Sequence, residues 1–164
     1  MIDLESVVIG VGLLLVFICP LIYVQLKQKF NIKKYTEIFQ EKARKQQLDI
    51  SEFDIWNNGY GIGIDKKANV LLYYCSKTGE DVLKKVDLTK VISCRSITER
   101  KPIRANSASS KVTQSLTLSL KLKDSNARNI DLEFYNIKYH TELYLELPLI
   151  EKWTKIINQA LKNK

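Results

Sequence analysis

Residues 59–75, GYGIGIDKKANVLLYYC, decide the fold class. Tyr60, Ile62 and Ile64 alternate with Gly59, Gly61 and Gly63, a period of two that predicts a strand from Tyr60 to Asp65. The polar Asp65-Lys66-Lys67-Ala68-Asn69 that follows is too short for a crossover helix, so Val70 to Cys75 must return as an antiparallel partner. Downstream, the same reasoning predicts strands at Val82–Leu88, Val91–Ile97, Gln114–Lys123 and Asn129–Tyr135. In the longest, Leu116, Leu118, Leu120 and Leu122 alternate with Thr117, Ser119, Lys121 and Lys123, so one face is buried and the other is wet. Short polar links at 77–80 and 124–127 again exclude crossovers. The connection Glu99–Lys111, ERKPIRANSASSK, is expected to be a mobile loop, and a seventh strand is evident only if 137–144 supplies it. The chain closes with Leu149, Ile150, Trp153, Ile156, Ile157, Ala160 and Leu161 at helical spacing, with Pro148 suited to the first turn and Trp153 expected as a core anchor.

Upstream, Asn31–Leu48 reads as a helix with Tyr35, Ile38, Phe39 and Ala43 on one stripe. Before it, no charge occurs from Ser6 to Leu26, and residues 7–24 are nearly all apolar. At about 1.5 Å per residue such a run reaches across a bilayer, which predicts an N-terminal transmembrane helix. Asp3 and Glu5 at the start, with no small-x-small site after the run, argue against a cleaved signal peptide. Cys19 follows bulky residues and is expected to carry no lipid. Lys27, Lys29, Lys33 and Lys34 follow the run, and the positive-inside rule places the C-terminal side in the cytoplasm. The expected organisation is a single-pass inner-membrane protein with its N-terminus outside: transmembrane segment 1–26, basic juxtamembrane helix 27–48 and cytoplasmic domain 49–164. In a reducing compartment Cys75 and Cys94 are expected as free strand residues.

The 164 residues leave room for one domain and an appendage, and 45% hydrophobic content is too high for a mainly disordered chain. The net charge of +8 divides into −2 for residues 1–24, +5 for 25–48 and +5 for 49–164. Because the excess is densest after the apolar run, anionic lipid is the expected counterpart of those lysines, and nucleic acid is not.

Six antiparallel strands followed by an amphipathic helix with an early tryptophan resemble a pleckstrin-homology-like domain. The resemblance rests on GIGID turning into VLLYYC, on VDLTKVISC and on IEKWTKIINQAL, and it extends to small bacterial membrane-anchored proteins of unassigned function. It implies an α+β fold in which a strongly bent antiparallel sheet forms an open barrel capped by the last helix. In that family phosphoinositide binding uses basic residues on the first strand and its long following loop. Here the matching turn is short and offers only Lys66 and Lys67.

The glycines at 59, 61 and 63 do not form a dinucleotide fingerprint, since they alternate within a strand and lead to another strand. Close approach or a bend is the expected reason for them. His140 is the only histidine, and no Gly-x-Ser-x-Gly elbow accompanies it, so catalysis, a metal site and a cofactor are not expected. Asp131 and Glu133 are expected on a solvated strand face. The remaining anion- or partner-binding candidates are Arg100, Lys101, Arg104 and Lys111. The expected function is a non-catalytic membrane-tethered interaction module that binds another protein, with anionic head-group binding at the inner membrane surface as the alternative.

Overall fold

The structure is a computed structural model and describes residues 4–57, 59–77, 80–105, 108–140, 143 and 145–162. Most side chains before residue 30, and those of 103–105 and 108–110, are not among those described. The chain begins with one long helix, α1, Leu4–Lys45, with Pro20 inside it. It ends where Gln47 enters the left-handed region, with Gln47 N–H donating to Arg44 O (2.9 Å) and Leu48 N–H to Ala43 O (3.1 Å). These are the two bonds of a Schellman cap, which satisfy carbonyls of the last turn.

Among the described residues seven strands follow: β1 Glu52–Trp56, β2 Tyr60–Asp65, β3 Val70–Lys77, β4 Glu80–Asp87, β5 Val91–Ala105, β6 Ala108–Leu122 and β7 Ile130–Asn136. A 3-10 turn, Leu88–Lys90, links β4 to β5, and the helix α2, Glu146–Lys162, closes the chain. The strands form two antiparallel sheets, β1-β2-β3-β4 and β5-β6-β7. The β2–β3 turn is built by Asp65, whose carboxylate accepts the amides of Lys67 (3.0 Å), Ala68 (2.9 Å) and Asp49 (2.8 Å). Those amide bonds, led by that of Ala68, hold its carboxyl below the usual carboxylate range.

The stretch VLLYYC is apolar or aromatic at every position because the strand is buried on both faces. Leu71, Tyr73 and Cys75 face the main core between the sheets, while Leu72 and Tyr74 meet Phe39 and Ala43 of α1 on the other side. A strand buried on both faces has no polar side to show. Gly61 and Gly63 make that docking possible: a Cβ at Gly61 would lie 2.6 Å from Phe39 Cδ2, and one at Gly63 would lie 2.8 Å from Ile50 Cγ2. The main core gathers Leu116, Leu118, Leu120, Leu132, Phe134 and Trp153, all fully buried. Trp153 Nε1 also donates to Asp54 Oδ2 at 2.8 Å, tying α2 to β1.

Several expectations are corrected. The apolar stretch is not a separate span: it is the first part of a helix that continues unbroken through Lys27 and Lys34 to Lys45. Among the described residues no helix is long and apolar enough to cross a membrane. The transmembrane segment, the division between it and a separate juxtamembrane helix, the single-pass anchoring and the inner-membrane placement with a cytoplasmic domain therefore do not stand. Many side chains of residues 7–24 lie outside the described ones. In place of one bent sheet forming an open barrel there are two sheets, and no closed barrel among the described residues. The strand missing from the expected set is Glu52–Trp56, and the described residues of 137–144 form no strand. The expected loop Glu99–Lys111 is mostly strand, because β5 and β6 continue their pairing from Arg100↔Thr113 to Ala105↔Ala108.

Candidate interaction edge

Sheet β5-β6-β7 has two outer strands, and the protein treats them differently. On β7, side chains of the other sheet occupy the carbonyls. Lys84 Nζ donates to Asp131 O (2.6 Å), the Tyr73 hydroxyl to Glu133 O (2.6 Å) and Trp56 Nε1 to Phe134 O (3.0 Å). The Glu133 carboxylate is then held by Lys77, by the Tyr60 hydroxyl (3.1 Å) and by Asn136 Nδ2 (3.1 Å). Burial pushes the Glu133 carboxyl up, but the Lys77 and Asn136 hydrogen bonds outweigh it and leave the group below its ordinary range.

On β5 one residue is capped. Asn158 of α2 accepts the Cys94 amide on Oδ1 (3.2 Å) and donates from Nδ2 to the Cys94 carbonyl (2.9 Å). Both backbone groups of Cys94 therefore point away from β6. The regular register from Cys94↔Leu120 to Glu99↔Ser115 carries that direction to Ser96 and Thr98, since alternate residues of an antiparallel pair face the same side. Among the described residues nothing bonds to the backbone of Ser96 or Thr98 from that side. Residues 95–102 are exposed throughout. The result is an open strand edge, continued by the two-stranded arm beyond Glu99, where β7 no longer pairs with β6.

Charge along this edge has one dominant sign. Arg95, Arg100 and Lys101 are exposed on β5, and Lys155 and Lys162 are exposed on the part of α2 that carries Asn158. Glu99 is the acid within the strand, and its carboxylate accepts from Ser115 Oγ at 2.9 Å. Arg100 pairs in register with Thr113 and Pro102 with Lys111, so Arg100 and Lys111 share one face of the arm.

The structure thus brings Arg100, Lys101 and Lys111 together on one exposed ribbon. The Arg104 side chain lies outside the described residues. Lys66 and Lys67 stand elsewhere, beside a cleft of about 510 Å³ that also touches Ile156 and Ala160. Their ammonium groups meet Glu52 (3.2 Å) and Asp49 (3.1 Å). Lys27, Lys33 and Lys34 are exposed on α1, and the Lys29 side chain lies outside the described residues. The membrane topology those lysines were expected to set has no crossing helix among the described residues to rest on.

Glu133 is no solvated acid, since it anchors the β7 edge, whereas Asp131 is exposed and accepts from Ser119 Oγ at 2.6 Å. His140 packs edge-on against the Tyr60 ring, with centroids 5.5 Å apart. Cys75 and Cys94 are free and buried; burial raises both thiols, that of Cys94 to about 12, so neither is a ready nucleophile. Among the described residues no group of His, Cys, Asp and Glu is placed to hold a metal ion. Arg95, Ser96, Thr98 and Asn158 were not singled out from sequence. Only the alternation in VISCRSIT marks the strand, and which backbone groups stay open depends on where α2 lands. No protein-family model, curated protein or solved structure matches this chain.

Proposed function

We propose that the protein is a non-catalytic interaction module that takes an extended, acidic segment of another protein as an added strand on β5. The observation that carries this reading is the open edge at Ser96 and Thr98, beside an otherwise capped Cys94. Backbone pairing supplies affinity in such recognition, and side-chain chemistry supplies selectivity. Arg95, Arg100, Lys101, Lys155 and Lys162 select against basic segments and favour acidic ones. Four strands, then three strands and a closing helix support keeping the pleckstrin-homology-like framework for this module.

The test uses the full chain and a short synthetic peptide alternating glutamate and valine, with a lysine–valine peptide as control. Binding of the acidic peptide should slow amide exchange at Ser96 and Thr98 and should weaken with added salt. Ser96→Pro removes an outward amide without removing a ladder bond, so it should leave the melting temperature nearly unchanged and reduce binding at least tenfold. Equal binding of both peptides, or full binding by the proline variant, would overturn the reading. So would salt-resistant binding to phosphatidylglycerol vesicles that is lost when Arg100, Lys101 and Arg104 are changed together to Ala, which would assign the arm to lipid head groups. Self-association of the chain through Ser96 would assign the edge to a second copy.

A further inference from the structure

A second site lies at the other end of β5 from the arm, where the 3-10 turn Leu88–Lys90 faces the 123–129 turn between β6 and β7. The two walls are joined by a backbone bond from Lys123 N to Lys90 O at 2.8 Å. Between them is a cleft of about 490 Å³. Its floor is apolar: Val86 is buried, while Leu122 and Ile130 are half-buried residues packed on the main core, and Ala127 completes the floor from the turn.

The rim is basic. Lys85, Lys90 and Lys123 are exposed around it, against Asp87 and Asp124. Both carboxylates have local duties. Asp87 Oδ1 accepts the amide and hydroxyl of Thr89 (2.9 and 2.6 Å), and Asp124 Oδ1 accepts the Asn126 amide (2.9 Å). Lys90 Nζ lies 4.0 Å from Asp87 Oδ2, a loose exposed pair. Lys85 Nζ donates to Gln46 O at 3.2 Å, and the two carboxylates keep their charge, so the cleft offers an apolar surface beneath a rim of three ammonium groups and two carboxylates, net +1.

We propose that this cleft binds an amphiphilic monoanion: a medium-chain carboxylate whose head meets Lys90 and Lys123 and whose tail covers Leu122 and Ile130. The volume lies within the range of small-molecule sites, and an apolar floor with few polar groups is their usual composition. The chain must be short. Leu120, Leu132 and Phe134 are fully buried, so the core beneath the floor is filled and a long tail has no way in. This site owes nothing to strand addition at Ser96, so either proposal can fail while the other stands.

The experiment titrates the full-length protein with butyrate, hexanoate, octanoate, decanoate and palmitate below their aggregation limits, following backbone amide resonances. Affinity should rise about fourfold per buried methylene and then level off once the cleft is full. The responding amides should be those of Val86, Thr89, Ala127 and Ile130. Octyltrimethylammonium should not bind. Lys123→Glu should weaken octanoate at least fivefold with a melting temperature close to the parent, and Ile130→Trp should abolish the length dependence by filling the floor, its fold checked by amide resonances that stay in place away from the cleft. A flat length series, equal binding of the cationic amphiphile, responses confined to α1, or an affinity still climbing at palmitate would each overturn the proposal.

Discussion

The outer strands β7 and β5 belong to one sheet and meet solvent under different rules. On β7, Lys84, Tyr73 and Trp56 reach across from the first sheet to the carbonyls of Asp131, Glu133 and Phe134, and Glu133 ties the clasp to Lys77 and Asn136. On β5, among the described residues, only Cys94 is served, by Asn158. An exposed strand edge invites pairing, and proteins usually blunt it by cover, charge, bulges or proline. β5 uses one-sided charge, a register shift at Glu99/Arg100 and Pro102 beyond it. Those devices limit where a strand can add and which strands are tolerated, without removing the edge. The β7 treatment is architectural, since its caps also bind the two sheets together.

The strongest way to break this contrast is to unseat α2. Trp153→Ala deletes a fully buried ring and its bond to Asp54, and it should cost about 3–5 kcal/mol in denaturant unfolding. With α2 loosened, exchange at Cys94 should approach that at Ser96. A melting temperature equal to the parent's would show that α2 is not the element that shapes the β5 edge.

A finer comparison sets Tyr73→Phe against Asn158→Ala. The first leaves the Glu133 carbonyl without its donor between the sheets, and should cost about 1–3 kcal/mol. The second returns the Cys94 amide and carbonyl to the open side, and should cost about 1 kcal/mol while lengthening the available edge. Asn158→Ala should therefore strengthen binding of the acidic peptide, and Tyr73→Phe should not. The reverse ranking would mean that β7, not β5, is the accessible edge.

The smallest effect concerns pH. The folded carboxyl of Glu133 lies below its ordinary value near 4.5. Its contribution to stability is therefore fully present above that value and is lost as pH falls through the depressed folded value. On acidification, amides of β7 should lose protection before those of β5, whose cap Asn158 does not titrate. Glu133→Gln should flatten that difference, as read by hydrogen exchange between pH 6 and 3. Identical acid profiles for the two strands in the parent would argue against the carboxylate clasp.

Period-two patterning in β2 and β6, apolar runs such as VLLYYC and short polar links placed parts of β2 to β7 and required antiparallel pairing, because residue pattern and loop length are local properties. The helical stripe from Ile150 to Leu161 likewise marked α2 and the inward face of Trp153. β1 escaped notice because EFDIW is only five residues long, too short for the alternation of Glu52, Phe53, Asp54 and Ile55 to mark a strand. The arm beyond Glu99 escaped because Ser, Pro and basic residues resemble a loop until their partners are known. Local reading of residues 7–24 stopped at the apolar run and treated it as a separate element. The fold joins it to the helix that places Phe39 over Gly61 and Gly63.

What no local pattern contained is which edge is closed. That depends on Tyr73, Lys84 and Trp56 lying 47 to 78 residues from the carbonyls they cap, and on Asn158 lying 64 residues from Cys94. Neighbouring residues were enough to mark most of the strands and the closing helix, since their patterns are local. Which backbone groups remain open follows from the folded arrangement, because hydrogen-bond satisfaction is settled by distance in space, between residues far apart along the chain.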